Sequence, residues 1–212
     1  MNQIVHIEAV TSATRAFEGR VRTLLALAML ALPLAGCDGH AGAPPLEGAR
    51  IGGPLPLTTH KGRRLSEAEL AGKYRLVYFG FTYCPDVCPV DLQTIGAGLR
   101  QFERDDPERA AKVQPLFVTV DPARDTPPVL RDYVAAFHPR LIGLTGSDAE
   151  IAQVARAYGV YYQRGEPAVP GGYGVDHSRN ILLFGPEGQP IAILPHDQGP
   201  AGVAAELDRW VR

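Results

Sequence analysis

The chain has 212 residues, 45% of them hydrophobic, enough to bury one good-sized core as a single folded unit. Its formal net charge of -2 leaves no basic footprint for nucleic acid or for an anionic membrane surface. Arginine heavily outnumbers lysine, a skew expected of a GC-rich genome and not of a particular chemistry.

The N-terminal segment reads as targeting. Arg20 and Arg22 precede an apolar run over 24–34, long enough for the centre of a signal peptide and short for a membrane span. The run ends in Leu34-Ala35-Gly36-Cys37, which resembles the bacterial lipobox, whose cysteine is lipidated and becomes the mature N-terminus. The stretch ahead of Arg20 is unusually long, so translation is expected to begin near Val21, with 1–20 a mis-assigned start. The expected organisation is a signal segment over 1–36, a lipidated Cys37 with a flexible Gly/Ala/Pro tether over 37–50, and a folded domain over 51–212. Asp38 resembles the signal that retains lipoproteins at the inner membrane of bacteria with two membranes. The expected location is therefore the bacterial inner (cytoplasmic) membrane, lipid-anchored and facing the periplasm. With Cys37 assigned to lipid, Cys84 and Cys88 remain as a pair in an oxidising compartment.

Along the domain, residues 55–58 read as a short strand followed by a turn over 60–62. Ser66-Glu67-Ala68-Glu69 has the form of a capping box and opens a short helix. Residues 74–81 are a near-continuous β-prone run, as expected for a buried central strand. A helix begins at Pro85 or Asp86 and carries Cys88, Leu92, Ile95 and Leu99 on a 3.6-residue period. Residues 113–120 form a second buried strand that ends at Asp121-Pro122. An amphipathic helix follows Pro127-Pro128, then a short strand over 141–144. Ser147 to Glu150 caps a further helix, which Gly159 stops. Strands over 160–163 and 180–184 flank a loop over 164–176, and a turn at 185–188 leads into a strand over 191–194. Val203, Leu207, Trp210 and Val211 mark the apolar stripe of a terminal helix. Alternating strands and helices ending in a hairpin and a helix indicate an α/β sandwich.

Cys84 and Cys88 sit where the first long strand gives way to a helix. Their spacing predicts both sulfurs on one helical face, one turn apart. The unpaired N–H groups and positive dipole end of a first turn predict thiolates. Such a pair can close into a disulfide in the oxidised form or bind a soft metal ion. A cysteine pair in this setting resembles a thioredoxin-like fold with insertions, a central mixed β-sheet flanked by helices. In thioredoxin-like oxidoreductases a cis-proline loop faces the cysteines, and Asp176-His177-Ser178 stands at about that point. His177 could therefore complete a Cys2His set. Two thiolates and one imidazole suit Cu(I), Cu(II) or Zn(II) and hardly suit Mg or Ca. No other histidine offers an obvious fourth ligand for structural zinc, so the open set favours a transported copper ion.

The run Tyr78-Phe-Gly-Phe-Thr-Tyr-Cys-Pro-Asp-Val-Cys-Pro89, together with Val118-Thr-Val-Asp-Pro-Ala-Arg-Asp-Thr-Pro127 and Val175-Asp-His-Ser178, resembles the SCO/SenC family over roughly residues 52–212. The resemblance implies a thioredoxin-like copper-binding domain with Cys84, Cys88 and His177 as ligands to Cu(I) and/or Cu(II). It also implies a membrane-tethered copper chaperone, more a metallochaperone than an enzyme, that delivers copper to, or reduces the cysteines of, the dinuclear copper centre of cytochrome c oxidase subunit II. Its partners would be that subunit and other copper carriers. Asp121, Arg124 and Asp125 match the family signature. Either Asp121 orients a group beside the site, or Asp125 or Thr126 caps the next helix while Arg124 pairs with a nearby acid. Asp86 and Asp176, next to the ligands, are candidate tuning residues, and Phe81 and Tyr83 are expected to limit solvent access. The competing reading is an extracytoplasmic thiol–disulfide oxidoreductase with Cys84 as nucleophile and Cys88 as resolving thiol. Such exchangers commonly have two residues between their cysteines and do not need the histidine. A peroxiredoxin-like peroxidase fits less well, because Phe81 stands where that family carries threonine.

Overall fold

A computed structural model describes residues 42–166 and 172–212. The expected signal segment and Cys37 lie outside the described residues. In chain order the elements are β1 (Thr58–Thr59), α1 (Glu67–Leu70), β2 (Tyr74–Gly80), α2 (Val87–Asp105), α3 (Pro107–Ala110), β3 (Val113–Thr119) and α4 (Pro127–Ala135). They continue with β4 (Ile142–Thr145), α5 (Asp148–Ala157), β5 (Tyr162–Arg164), β6 (Val175–His177), β7 (Ile181–Phe184), β8 (Pro190–Leu194) and α6 (Gly199–Trp210).

Every residue of β2 is buried, and so is all but one of β3. Runs this uniformly covered need helices or other layers on both sheet faces. The two strands are parallel, with Tyr74 opposite Val113 and Gly80 opposite Thr119, so they end together. The six-stranded sheet has the order β1-β4-β3-β2-β7-β8. Its β2–β3 and β3–β4 pairs are parallel and the remaining pairs antiparallel, which makes it a mixed sheet. Alternation along β2 sends Tyr78 and Gly80 towards α2, where Gly80 lies against Cys88 and Tyr78 stacks on Phe117. Phe79 points to the other face and meets Tyr158 at the end of α5. Glycine lets α2 and α6 pack closely, since a Cβ on Gly98 would fall 2.7 Å from Cβ of Val203. This is the expected α/β, thioredoxin-like architecture, and it brings the end of β2, the start of α2 and the β6–β7 connection together.

Both capping boxes form as the sequence predicts. Ser66 Oγ accepts from Ala68 N–H while Glu69 accepts from Ser66 N–H at 3.0 Å. Ser147 Oγ accepts from Glu150 N–H, and Glu150 accepts from Ser147 N–H at 2.8 Å. Gly159 stops α5 with a φ of 65°.

Other expectations need correction. The strand expected over 55–58 is only Thr58–Thr59. Ahead of it the chain bends, with Leu57 N–H donating to Leu55 O, and Leu55 N–H is taken by Glu67 and not by a neighbouring strand. The sequence reading missed α3, a single turn started by Pro107 and capped by the Asp106 carboxylate on Arg109 N–H. The end of the loop expected over 164–176 is the strand β6, which pairs with β5 so that Tyr162 lies opposite His177. Cys84 lies outside the helix, which starts at Val87. Pro85 disfavours helical backbone at the residue before it.

Candidate metal centre

The approach to Cys84 is fastened by a buried carboxylate. Asp125, 0% exposed, accepts from Thr82 N–H at 3.0 Å, from Thr82 Oγ1 at 2.6 Å and from Thr119 Oγ1 at 2.5 Å. It thus ties the segment leaving β2 to the end of β3. It does not cap α4, and Thr126 at the N-cap makes no side-chain bond either. Cys84 then turns back on Phe81, and its Sγ accepts from Cys88 N–H at 3.4 Å. The Cys84 sulfur therefore occupies the N-terminal end of α2 from outside the helix, taking up one of its unpaired donors.

Cys88 is fully buried, while Cys84 is half-buried. Burial pushes the Cys88 thiol up, against the expectation of a thiolate at a first helical turn. Desolvation of a sulfur sealed under Gly80 and the sheet dominates its ionisation here.

His177 reaches the cysteines from β6. Its Nδ1–H donates to Ser178 O at 2.9 Å, which leaves Nε2 as the free ring nitrogen, 3.1 Å from Cys88 Sγ. Phe81 and Tyr78 stand edge-on to the ring at 5.9 and 6.3 Å. Burial lowers the His177 pKa, which favours the neutral ring. In the metal-free molecule the Cys88 thiol can donate to Nε2, and a metal taking this site displaces that proton. The ligand atoms of Cys84, Cys88 and His177 all lie within 4.8 Å of one another. A cavity of about 350 Å³ opens onto Cys84 and His177, walled by Cys84, Pro85 and Val87 on one side and Val175, Asp176 and His177 on the other.

The remaining candidates take different positions. Asp86 is the exposed N-cap residue of α2 and makes no capping bond. Asp176 is exposed and pairs with Gln163 through β-backbone. Asp121 is buried and bonded to Arg124, and it accepts from Tyr173 Oη at 2.7 Å. The Arg124 guanidinium lies 3.7 Å from the Tyr173 ring centre and 4.9 Å from that of Tyr83. Phe81 packs on the site as expected, but Tyr83 is 59% exposed and does not seal it. Sequence reasoning missed Gly80, Asp91 and Arg179. Asp91 carried a readable signal, an acid three residues after Cys88 on the face that α2 turns inwards.

The SCO1/SenC family model matches residues 43–212, which contain all three site residues. The chain belongs to the SCO1/SenC family. It is 47% identical over 144 residues to the protein SCO2 homolog, mitochondrial, of Bos taurus, a match covering 68% of this chain and 53% of that protein. It is 39% identical over 162 residues to the protein SCO1 homolog, mitochondrial, of Homo sapiens, covering 76% of this chain and 53% of that one. The chain thus spans about half the length of these curated relatives. Among solved structures, Bradyrhizobium japonicum ScoI with copper bound matches with a TM-score of 0.68 at 39% identity, covering 76% of this chain and 99% of that chain. The SCO1/SenC match therefore takes in the whole sheet and the cysteine–histidine cluster.

Proposed function

We propose that this SCO1/SenC protein binds one copper ion through Cys84 Sγ, Cys88 Sγ and His177 Nε2 and passes it on during assembly of cytochrome c oxidase. The convergence of these donor atoms within 4.8 Å carries the reading. Two sulfurs and an imidazole nitrogen are a soft set that suits Cu(I) and still admits Cu(II). The copper in Bradyrhizobium japonicum ScoI supports the choice of metal. With three protein ligands the ion keeps an open side towards the cavity, where an incoming thiolate or imidazole would exchange with them.

The finer reading takes subunit II, with its dinuclear copper centre, as the recipient and other copper carriers as donors. In it, residues 1–36 direct export and lipidated Cys37 begins a tether over 37–50. Residues 51–212 then work at the periplasmic face of a bacterial inner membrane. Among the described residues no helix is long and apolar enough to cross a membrane, and attachment in this reading comes from the lipid. Asp86 and Asp176, exposed beside the ligands, would tune the site or meet the partner.

The unequal exposure of the two sulfurs also favours a second reading, thiol–disulfide exchange, with half-buried Cys84 attacking and buried Cys88 resolving. Copper titration of the reduced chain decides between them. One tightly bound Cu(I) per chain, severely weakened in His177→Ala, is the expected result. A His177→Ala variant that holds Cu(I) as tightly as the parent and keeps full disulfide reductase activity would overturn the copper reading.

A further inference from the structure

Asp91 lies one turn beyond Cys88 on α2 and is 1% exposed. Its carboxylate accepts from Tyr78 Oη at 2.8 Å and receives Arg179 in a two-pronged bond, Nη2 to Oδ1 at 2.7 Å and Nε to Oδ2 at 3.0 Å. Arg179 is two residues beyond His177, and the carbonyl between them, Ser178 O, holds the His177 Nδ1–H at 2.9 Å. A continuous series of bonds therefore runs from the cysteine helix to the histidine ring. The carboxylate holds Arg179, the backbone at Ser178 is held with it, and its carbonyl keeps the proton on Nδ1. The free Nε2 then faces Cys88 Sγ at 3.1 Å. Tyr78 closes the circuit, with its hydroxyl on Asp91 and its ring edge-on to His177.

We propose that Asp91 is a positioning residue of the metal centre, acting through Arg179 and the Ser178 carbonyl to fix the orientation and tautomer of His177. The proposal rests on the reading of Cys84, Cys88 and His177 as copper ligands. Burying a carboxylate is costly, and an apolar side chain would fill the same space. What the carboxylate adds is direction, since a planar two-pronged contact with a guanidinium fixes angle as well as distance. Outer partners of a ligating histidine commonly act in this way, setting the ring and its free nitrogen.

The test uses the full reduced chain and two variants, Arg179→Gln and Asp91→Asn. The Arg179 side chain is 38% exposed, so its replacement opens no cavity in the core, but it leaves the buried Asp91 carboxylate without its cation. Both variants are therefore read well below their melting temperatures, which are measured alongside. Imidazole nitrogen NMR of the metal-free proteins reads the tautomer directly. The parent is expected to show His177 protonated at Nδ1 alone, and both variants a mixture of tautomers. Competition against a Cu(I) chelator is expected to show affinity lowered about 10–100-fold in each variant. The double variant is expected to be no weaker than the weaker single one, because both act along one path. An unchanged His177 spectrum in Arg179→Gln, with affinity within about twofold of the parent, would overturn the proposal. So would a lowered melting temperature with the spectrum unchanged, which marks a purely structural ion pair. If the parent itself binds no copper, the functional reading fails, while the metal-free spectra still decide the positioning role.

Discussion

Gly80 lies directly against the sulfur of Cys88. A Cβ built on it would fall 3.0 Å from Sγ, 3.1 Å from the Phe117 ring and 3.2 Å from that of Tyr78. All three neighbours are buried and cannot swing away. Gly80→Ala is therefore expected to push Cys88 out of line with Cys84 and His177. Overpacking of this kind costs about 1–3 kcal/mol, and copper affinity should fall at least tenfold, by analogy with other perturbed ligand supports. Chemical denaturation and Cu(I) competition measure the two effects. A variant with the parent's stability and affinity would mean that the sulfur does not need the space.

Asp125 holds the approach to Cys84 through three hydrogen bonds, two from Thr82 and one from Thr119. Asp125→Ala leaves the Thr82 amide and a buried threonine hydroxyl without their acceptor, at about 1–3 kcal/mol. It also frees the segment that sets Cys84, so copper affinity should drop along with the melting temperature. Burial raises the Asp125 pKa above its ordinary value, so the neutral amide of Asp125→Asn should cost less than truncation. Equal melting temperatures for the alanine variant and the parent would sink this account.

The parts of the fold legible in the sequence were those set by local chemistry. Ser66 and Ser147 announce their helices because a capping box lies within four residues. The two central strands show as uninterrupted apolar runs because both of their faces are covered. A four-residue spacing suggests one helical face for Cys84 and Cys88, but the helix starts only at Val87, and Pro85 carries the signal against helical backbone at Cys84. The strand character of Val175–His177 was hidden because its partner Tyr162–Arg164 lies across a connection with no alternating pattern. The candidate site divides the same way. His177 could be placed opposite the cysteines through its position before β7. The bond between Asp91 and Arg179 spans 88 positions, and no spacing rule reaches that far.

Two histidines outside the site make stability fall in acid. His138 accepts Arg140 N–H on Nδ1 and meets Glu103 with Nε2, and His60 accepts Gly143 N–H on Nδ1. Burial lowers the pKa of both below 6.5. Below that pH the unfolded chain takes up protons that the folded chain refuses, so the unfolded state gains as pH falls. Stability is expected to be level between about pH 7 and pH 8 and to decline below about pH 6.5, by up to about 1.4 kcal/mol per pH unit for each histidine, until the folded-state pKa is reached. In His138→Asn an amide oxygen can replace Nδ1 as acceptor without titrating. Urea denaturation between pH 7 and pH 5 should therefore give a shallower decline for that variant than for the parent. Parallel curves would show that His138 is not a source of the effect.

Asp121 separates stability from metal binding. It is fully buried and carries Arg124, whose side chain is only 18% exposed and lies against Tyr173. Its carboxylate is bonded to none of the three ligand side chains, and its partners are Arg124, Tyr173 Oη and, at 3.6 Å, Arg164. Asp121→Ala strands a largely buried guanidinium, a loss of about 3–5 kcal/mol, or a melting temperature lowered by roughly 6–20 °C in a chain of this size. Asp121→Asn keeps an acceptor for Arg124 and should recover part of that loss. Copper affinity, measured well below the melting temperature, should stay within a few-fold of the parent in both variants. A tenfold or greater loss of copper affinity in Asp121→Asn, with its melting temperature largely retained, would instead make Asp121 a positioning residue of the metal centre, acting through Tyr173 on the segment that leads into β6.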